Sequence, residues 1–245
     1  MLSLAPFSAA LLVLFRCAGM CMTAPILGAR TVPTTIRIVF TMAMTLLMCL
    51  DLPTAAAGNV TWSTLAGRGL LETLLGMMAG WSARLAMECA FFAGHAAGSA
   101  MGFNYGAMLD PSHGEESTSV AQLMSMAALV AAATLGLHRE CVAWLIHSLR
   151  VMPPGADFPL RDMAMAVVQT GLDAFGLGVR LAFPTMAAVA LGQVALGLAG
   201  KSAQQLNVQS LAFCVTTVCG GGMIYLTAPT IVHVASEASR RALAF

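Results

Sequence analysis

The chain has 245 residues, of which 58% are hydrophobic and 9% charged, with a mean hydropathy of +0.82 and a formal net charge of +1. A soluble protein carries about 25% charged residues, so an ordinary aqueous surface is excluded, and near-neutrality excludes the basic footprint of a nucleic-acid binder. What remains is an integral membrane protein or part of an obligate apolar assembly, with room in one domain over 1–245 for roughly six to eight segments of membrane length at about 20 residues each.

The first apolar segment runs from Leu4 to Leu27. No basic residue precedes it, so a cleaved signal peptide is not expected. Arg16 interrupts it, and an arginine at that depth is costly in lipid, which predicts that it snorkels or finds a protein partner. Ala24-Pro25 ends the segment, and Gly28, Arg30 and Pro33 read as a compact turn. A second segment, Thr34 to Leu50, opens on Arg37 and closes at Asp51-Leu52-Pro53. The two form a hairpin with a basic turn.

After a small polar linker, Ala55 to Ser63, an apolar run extends from Leu65 to Leu109. It is too long for one crossing, and a split is predicted near Arg84 to Cys89, with a bent continuous helix pair as the alternative. Its first half carries a ladder at every fourth residue: Arg68, Glu72, Gly76, Gly80, Arg84 and Glu88. Residues four apart are neighbours on a helix, so Arg68 is expected to pair with Glu72 and Arg84 with Glu88. Internal charge neutralisation is the simplest role, and a bridge to another subunit the functional one.

The second half holds Gly94, Gly98, Gly102 and Gly106, again at intervals of four. Each glycine costs a helix about 1 kcal/mol relative to alanine, and a chain that repeats the cost is using the close backbone approach that small residues allow. Directly after this ladder come Met108, Leu109, Asp110 and Pro111, then the polar stretch Ser112 to Ser119. A packed helix delivering the chain into a short polar loop is read as the functional centre. His95 and Ser99 lie one turn apart within the ladder, but a hydrolase would also need a nucleophile turn, an orienting acid and an oxyanion hole. No HExxH motif is present, and no cofactor motif. An enzyme is not expected.

Val120 to Leu137 is free of charge and continues amphipathically through His138, Trp144 and His147 to Arg150, before Pro153-Pro154-Gly155 breaks the chain. Met163 to Gly200 is apolar again, with Asp173 and Arg180 two turns apart and a bend expected at Phe183-Pro184. Lys201 to Asn207 is a polar turn. The last segment, Val208 to Val234, contains Gly220-Gly221-Gly222 and Pro229, which predict a kink or an unwound turn. Glu237, Arg240 and Arg241 follow, favouring a cytoplasmic C-terminus. The seven cysteines fall in apolar stretches without a CxxC pair and read as small buried hydrophobes. Alanine and methionine outweigh leucine along the helices, which suits contact with other helices more than with lipid. The fold class expected is all-α: membrane-type helical hairpins with broken, glycine-rich helices, forming one part of a helical multi-subunit channel.

Taken in order, these features resemble the FliR family of flagellar type III export-gate subunits and its injectisome counterpart, SctT. The resemblance is carried by Phe15-Arg16, Ala24-Pro25, Gly28, Arg30, Pro33 and Arg37, then by Glu72, Gly76, Gly80 and Arg84, the glycine ladder and Asp110-Pro111. It continues through Gly136 with His138, Ser148, Pro153-Pro154-Gly155, Ala182-Phe183-Pro184 and Gln205-Leu206-Asn207-Val208. Such a resemblance implies a channel-forming subunit of the bacterial inner membrane, within a flagellar basal body or injectisome base, and no cofactor. Its partners would be FliP/SctR-like and FliQ/SctS-like subunits, FlhB/SctU-like and FlhA/SctV-like components, membrane lipid and unfolded export substrates. The loop holding Tyr105, Gly106, Met108, Leu109, Asp110, Pro111, Ser112, Glu115 and Glu116 would be the plug that closes the path. Gly76, Gly80, Gly94, Gly98 and Gly102 would be packing positions, and Arg16, Arg37, Glu72, Arg84 and Glu88 would carry intrasubunit or intersubunit ion pairs. The alternative is a secondary transporter, with Glu72, Glu88, Asp173 and His95 binding ions or protons at broken helices.

Overall fold

A computed structural model of the chain describes residues 5–29, 32–51, 62–103, 119–156, 159–202 and 208–243. Among these residues there are seven α-helices and no strand: α1 (Ala5–Thr23), α2 (Thr34–Asp51), α3 (Trp62–Ala100), α4 (Ser119–Thr134), α5 (Leu137–Val151), α6 (Leu160–Ser202) and α7 (Val208–Ala242). The fold is all-α and of membrane type. These seven helices lie within the roughly six to eight segments the sequence predicts, but three of them are longer than one crossing needs. By length and apolar composition α6 and α7 can each cross a membrane, and α4 with α5 makes a third candidate if the pair is taken as one broken span.

The expected split of the third segment near Arg84 to Cys89 does not occur. α3 is one helix of 39 residues, and the reason lies in its buried positions. Glu72, Leu75, Ala79, Ser82, Ala83, Ala86, Ala90, Ala93 and Ala97 are all buried, so the three- and four-residue spacing of a helix face runs through the expected break without a fault. The expected unwinding at Gly220 to Gly222 and Pro229 is absent too, since α7 stays helical through them, and α6 stays helical through Pro184. Pro184 has no N–H to give the carbonyl of Arg180, but one lost bond does not interrupt a helix of 43 residues. A break does appear where none is expected. The run from Val120 to Arg150 is divided at Leu135-Gly136, with Gly136 in the left-handed region at φ 83°, a conformation for which glycine is the least costly residue.

Two compact units are formed. The first comprises Met1–Ala86, Ala133–Gly171 and Ala238–Phe245; the second comprises Met87–Ala132 and Leu172–Glu237. In the first unit α1 and α2 pack together, as the hairpin reading requires. Ala9, Leu12, Val13, Cys17, Met20 and Cys21 form the buried stripe of α1, and Ala24 just past its end is buried too. The end of α7 docks on α3 in the same unit, where the Ser239 hydroxyl donates to the Ala83 carbonyl at 2.9 Å. Arg240 and Glu140 form a half-exposed salt bridge of 2.9 Å beside it. In the second unit α6 lies close to α3 through Gly178, where an added methyl would stand 2.8 Å from Phe92 Cβ and 3.0 Å from the Cys89 carbonyl oxygen. Phe92 meets Phe175 edge to face at 5.5 Å beside that contact.

Candidate functional site

The cost of a buried arginine is met inside the first unit. Arg16 on α1 is 0% exposed and Glu72 on α3 is 1% exposed, and the Arg16 Nε donates to Glu72 Oε2 at 2.6 Å. Arg16 Nη1 donates to the Met152 carbonyl at 3.0 Å and to Ser148 Oγ at 3.3 Å. The other carboxylate oxygen, Glu72 Oε1, accepts the Gly155 backbone N–H at 2.8 Å. A single buried ion pair thus joins α1, α3, the end of α5 and the connection that follows it. Gly155 takes φ 83° there, with Leu12 and Arg68 beside its Cα. Charge-assisted bonds of this kind are shorter and stronger than neutral ones, and in a low-dielectric interior their partners are costly to separate.

This arrangement corrects the expected pairing of Glu72 with Arg68. A pair on one helix face would leave both groups toward the helix surface, whereas Glu72 is turned into the interior, where Arg16 is the cation that meets it. Both residues were recognisable in the sequence; their partnership was not. Ser148 and the Pro153-Pro154-Gly155 break close the same network. Arg37 on α2 donates through Nη2 to the Ala29 carbonyl, tying the second helix to the preceding turn, and its Nε is buried without a hydrogen-bond partner among the described residues. Arg84 and Glu88 each have an interaction partner; Arg84 is exposed and Glu88 half-buried.

The glycines divide into two kinds. A methyl at Gly76 would collide with the Arg16 carbonyl oxygen, and one at Gly80 with Thr23 Oγ1. Gly19, which the sequence pattern does not single out, answers them from α1, because a methyl there would collide with the Thr73 carbonyl oxygen. Thr23 Oγ1 donates to Gly19 O at 3.0 Å and lies 3.2 Å from Met77 O, so α1 and α3 approach to backbone contact over two turns. In the second unit a methyl at Gly94 would stand 2.8 Å from Ala121 Cα and 3.0 Å from the Val120 carbonyl oxygen, which brings α4 onto α3.

Gly102 does something else. The Gly102 N–H donates to Ser99 O and the Phe103 N–H to Gly98 O, each at 3.1 Å, with Gly102 at φ 90°. This is the paired hydrogen-bond pattern of a Schellman C-cap. The expectation of one glycine face continuing along a helix to Gly106 is therefore corrected: α3 ends at Ala100, and Gly102 supplies a left-handed turn, not a packing surface. Tyr105, Gly106, Met108, Leu109, Asp110, Pro111, Ser112, Glu115 and Glu116 lie outside the described residues.

Comparison with known proteins bears on the whole of this arrangement. The family described as bacterial export proteins, family 1, matches residues 7–242, which includes every residue of the Arg16 and Glu72 network and the C-cap of α3. The chain belongs to this family, that of FliR. The flagellar biosynthetic protein FliR of Caulobacter vibrioides is 30% identical over 96% of this chain and 94% of its own length. That of Escherichia coli is 27% identical over 91% of this chain and 87% of its own, and that of Bacillus subtilis 24% identical over 97% and 95%. Because each FliR relative is covered almost end to end, the likeness concerns the whole chain and not one segment of it. As a FliR-family protein with long apolar helices, the chain is a bacterial export protein suited to a membrane.

Proposed function

We propose that this chain is a channel-forming subunit of the type III protein export gate. One copy completes a helical ring with several FliP/SctR-like and FliQ/SctS-like subunits, beside FlhB/SctU-like and FlhA/SctV-like components, in the bacterial inner membrane. Unfolded substrates pass through the ring, and the segment from Tyr105 to Ser119 closes it between substrates. The observation that carries this reading is the family match across residues 7–242. The flagellar biosynthetic proteins among the relatives favour use in a flagellar basal body over an injectisome.

The distribution of burial supports a place among other subunits. Only 17% of the most apolar stretch of α6 and 11% of that of α7 is buried by the rest of the chain. Leu172, Phe183, Leu191, Val218, Tyr225 and Leu226 are each more than 65% exposed, so these two helices need an apolar cover from outside. A secondary transporter would need Glu72 for an ion, yet both its oxygens are engaged, one by Arg16 and the other by the Gly155 N–H.

Native mass spectrometry of the tagged chain, extracted in mild detergent from its own cells, tests the assembly. One copy with several copies of two other small hydrophobic subunits is the expected composition; a lone monomer or homodimer that takes up solute in vesicles would return the transporter to first place. Deleting part of Ser112 to Ser119 tests closure, with an intact assembly and an ion-leaky membrane as the expected result. A tight membrane after that deletion removes the plug.

A further inference from the structure

The C-cap of α3 is seated on α7, and we propose that this seat, formed by Phe213, Thr216 and Gly220, positions the end of α3 from which the plug segment departs. These three residues recur at i, i+3 and i+7, one face of a helix. Gly220 leaves a notch in that face, and a methyl there would collide with Met101 Sδ and Cγ and stand 3.0 Å from Val189 Cγ2 of α6. Met101, 2% exposed, fills the notch. The Thr216 hydroxyl donates to Ala212 O at 2.9 Å and lies 3.5 Å from the Met101 carbonyl oxygen, one of the carbonyls that a helix end leaves without a partner.

Phe103 completes the seat. A Schellman cap usually gains a hydrophobic contact between the second residue past the cap and the third residue from the helix end. Here that inner residue is Gly98, which has no side chain to offer. Phe103 instead meets Phe213 edge to face, with ring centroids 6.2 Å apart and planes at 87°. Three consecutive residues at the end of α3 are thus held from outside their own helix: Met101 by the notch, Gly102 by its turn, Phe103 by an aromatic ring. The glycine triplet of α7, read from the sequence as a place for a kink or an unwound turn, contributes a slot in a continuous helix. Gly221 and Gly222 have open space where a side chain would stand, so Gly220 alone of the three makes this contact.

This inference rests on the plug reading, and its test separates the two. Gly220→Leu fills the notch and displaces Met101; Met101→Ala in the same chain makes room again. With the complex assembled in its own cells, Gly220→Leu is expected to preserve the subunit composition seen by native mass spectrometry and to raise ion leak several-fold, and the added Met101→Ala to return most of that leak to the wild-type level. Should Gly220→Leu fail to assemble, Phe213→Ala, which adds no bulk, is expected to give the same leak in an assembled complex. An assembled Gly220→Leu or Phe213→Ala complex that stays tight, while the deletion within Ser112 to Ser119 leaks, overturns the seat and leaves the plug. Leak from Gly220→Leu that Met101→Ala does not reduce overturns the role of Met101. If the deletion itself stays tight, plug and seat fall together.

Discussion

Arg16 and Glu72 are together less than 2% exposed on average, and the consequence of that burial is asymmetric. Removing one partner leaves an uncompensated charge in the interior, at about 3–5 kcal/mol, whereas replacing both by apolar residues of similar volume is close to neutral. Arg16→Met alone and Glu72→Leu alone are each expected to lower the thermal stability of the purified chain sharply, and the double variant to recover most of the loss. A double variant no more stable than either single one would mean that the two charges do not act on each other. The sequence shows the cost of Arg16 clearly, because an arginine in an apolar run has few ways to be satisfied. It does not show the partner. The nearest candidate pair by helical spacing was Arg68 with Glu72, and only the fold brings α1 against α3 so that Arg16, and not Arg68, reaches the carboxylate. Nor does any local pattern reveal that the Gly155 N–H takes the second oxygen.

At the scale of the helices, glycine spacing was legible but glycine function was not. Gly76 and Gly80 were marked by their interval, and they lie where α1 touches α3; Gly19, equally close, has no repeat to mark it. Gly102 shares the interval and yet caps the helix, because three- and four-residue spacing describes a face only while the helix continues. A pair of substitutions separates close contact from open space. Gly222→Ala, with nothing within 4 Å of the added methyl, is expected to stabilise by up to about 1 kcal/mol through helix propensity alone. Gly76→Ala gains the same propensity but must push α1 from α3, and a net loss of about 1–3 kcal/mol is expected, the usual cost of overpacking. Equal melting temperatures for the two would deny the close approach. The split placed at Arg84 to Cys89 failed because the buried stripe of α3 stays in register on both sides of it. The unwinding placed at Gly220 to Gly222 and Pro229 failed because glycine and proline weaken a helix locally without having to interrupt it.

For the whole molecule, the thiols report which surfaces the assembly covers. Cys214 and Cys219 on α7 are exposed, while Cys17, Cys21, Cys89 and Cys141 are buried. The unassembled chain in mild detergent is expected to react with a maleimide at Cys214 and Cys219 and to spare those four, and incorporation into the complex to protect the two α7 thiols. Undiminished labelling of Cys219 in the complex would argue that this face of α7 stays uncovered by protein. Family membership and the all-α class were both readable from the order of features along the chain, since these depend on composition and sequence spacing. Helix length was not, and it has a consequence of its own. At 1.5 Å per residue, α3, α6 and α7, with 39, 43 and 35 residues, have contour lengths of roughly 58, 64 and 52 Å. The hydrocarbon core of a bilayer is about 30 Å thick. Even at a tilt of about 40°, the steep end for membrane helices, none of the three fits within it, so a part of each apolar helix must find its dry surroundings beyond the reach of lipid tails.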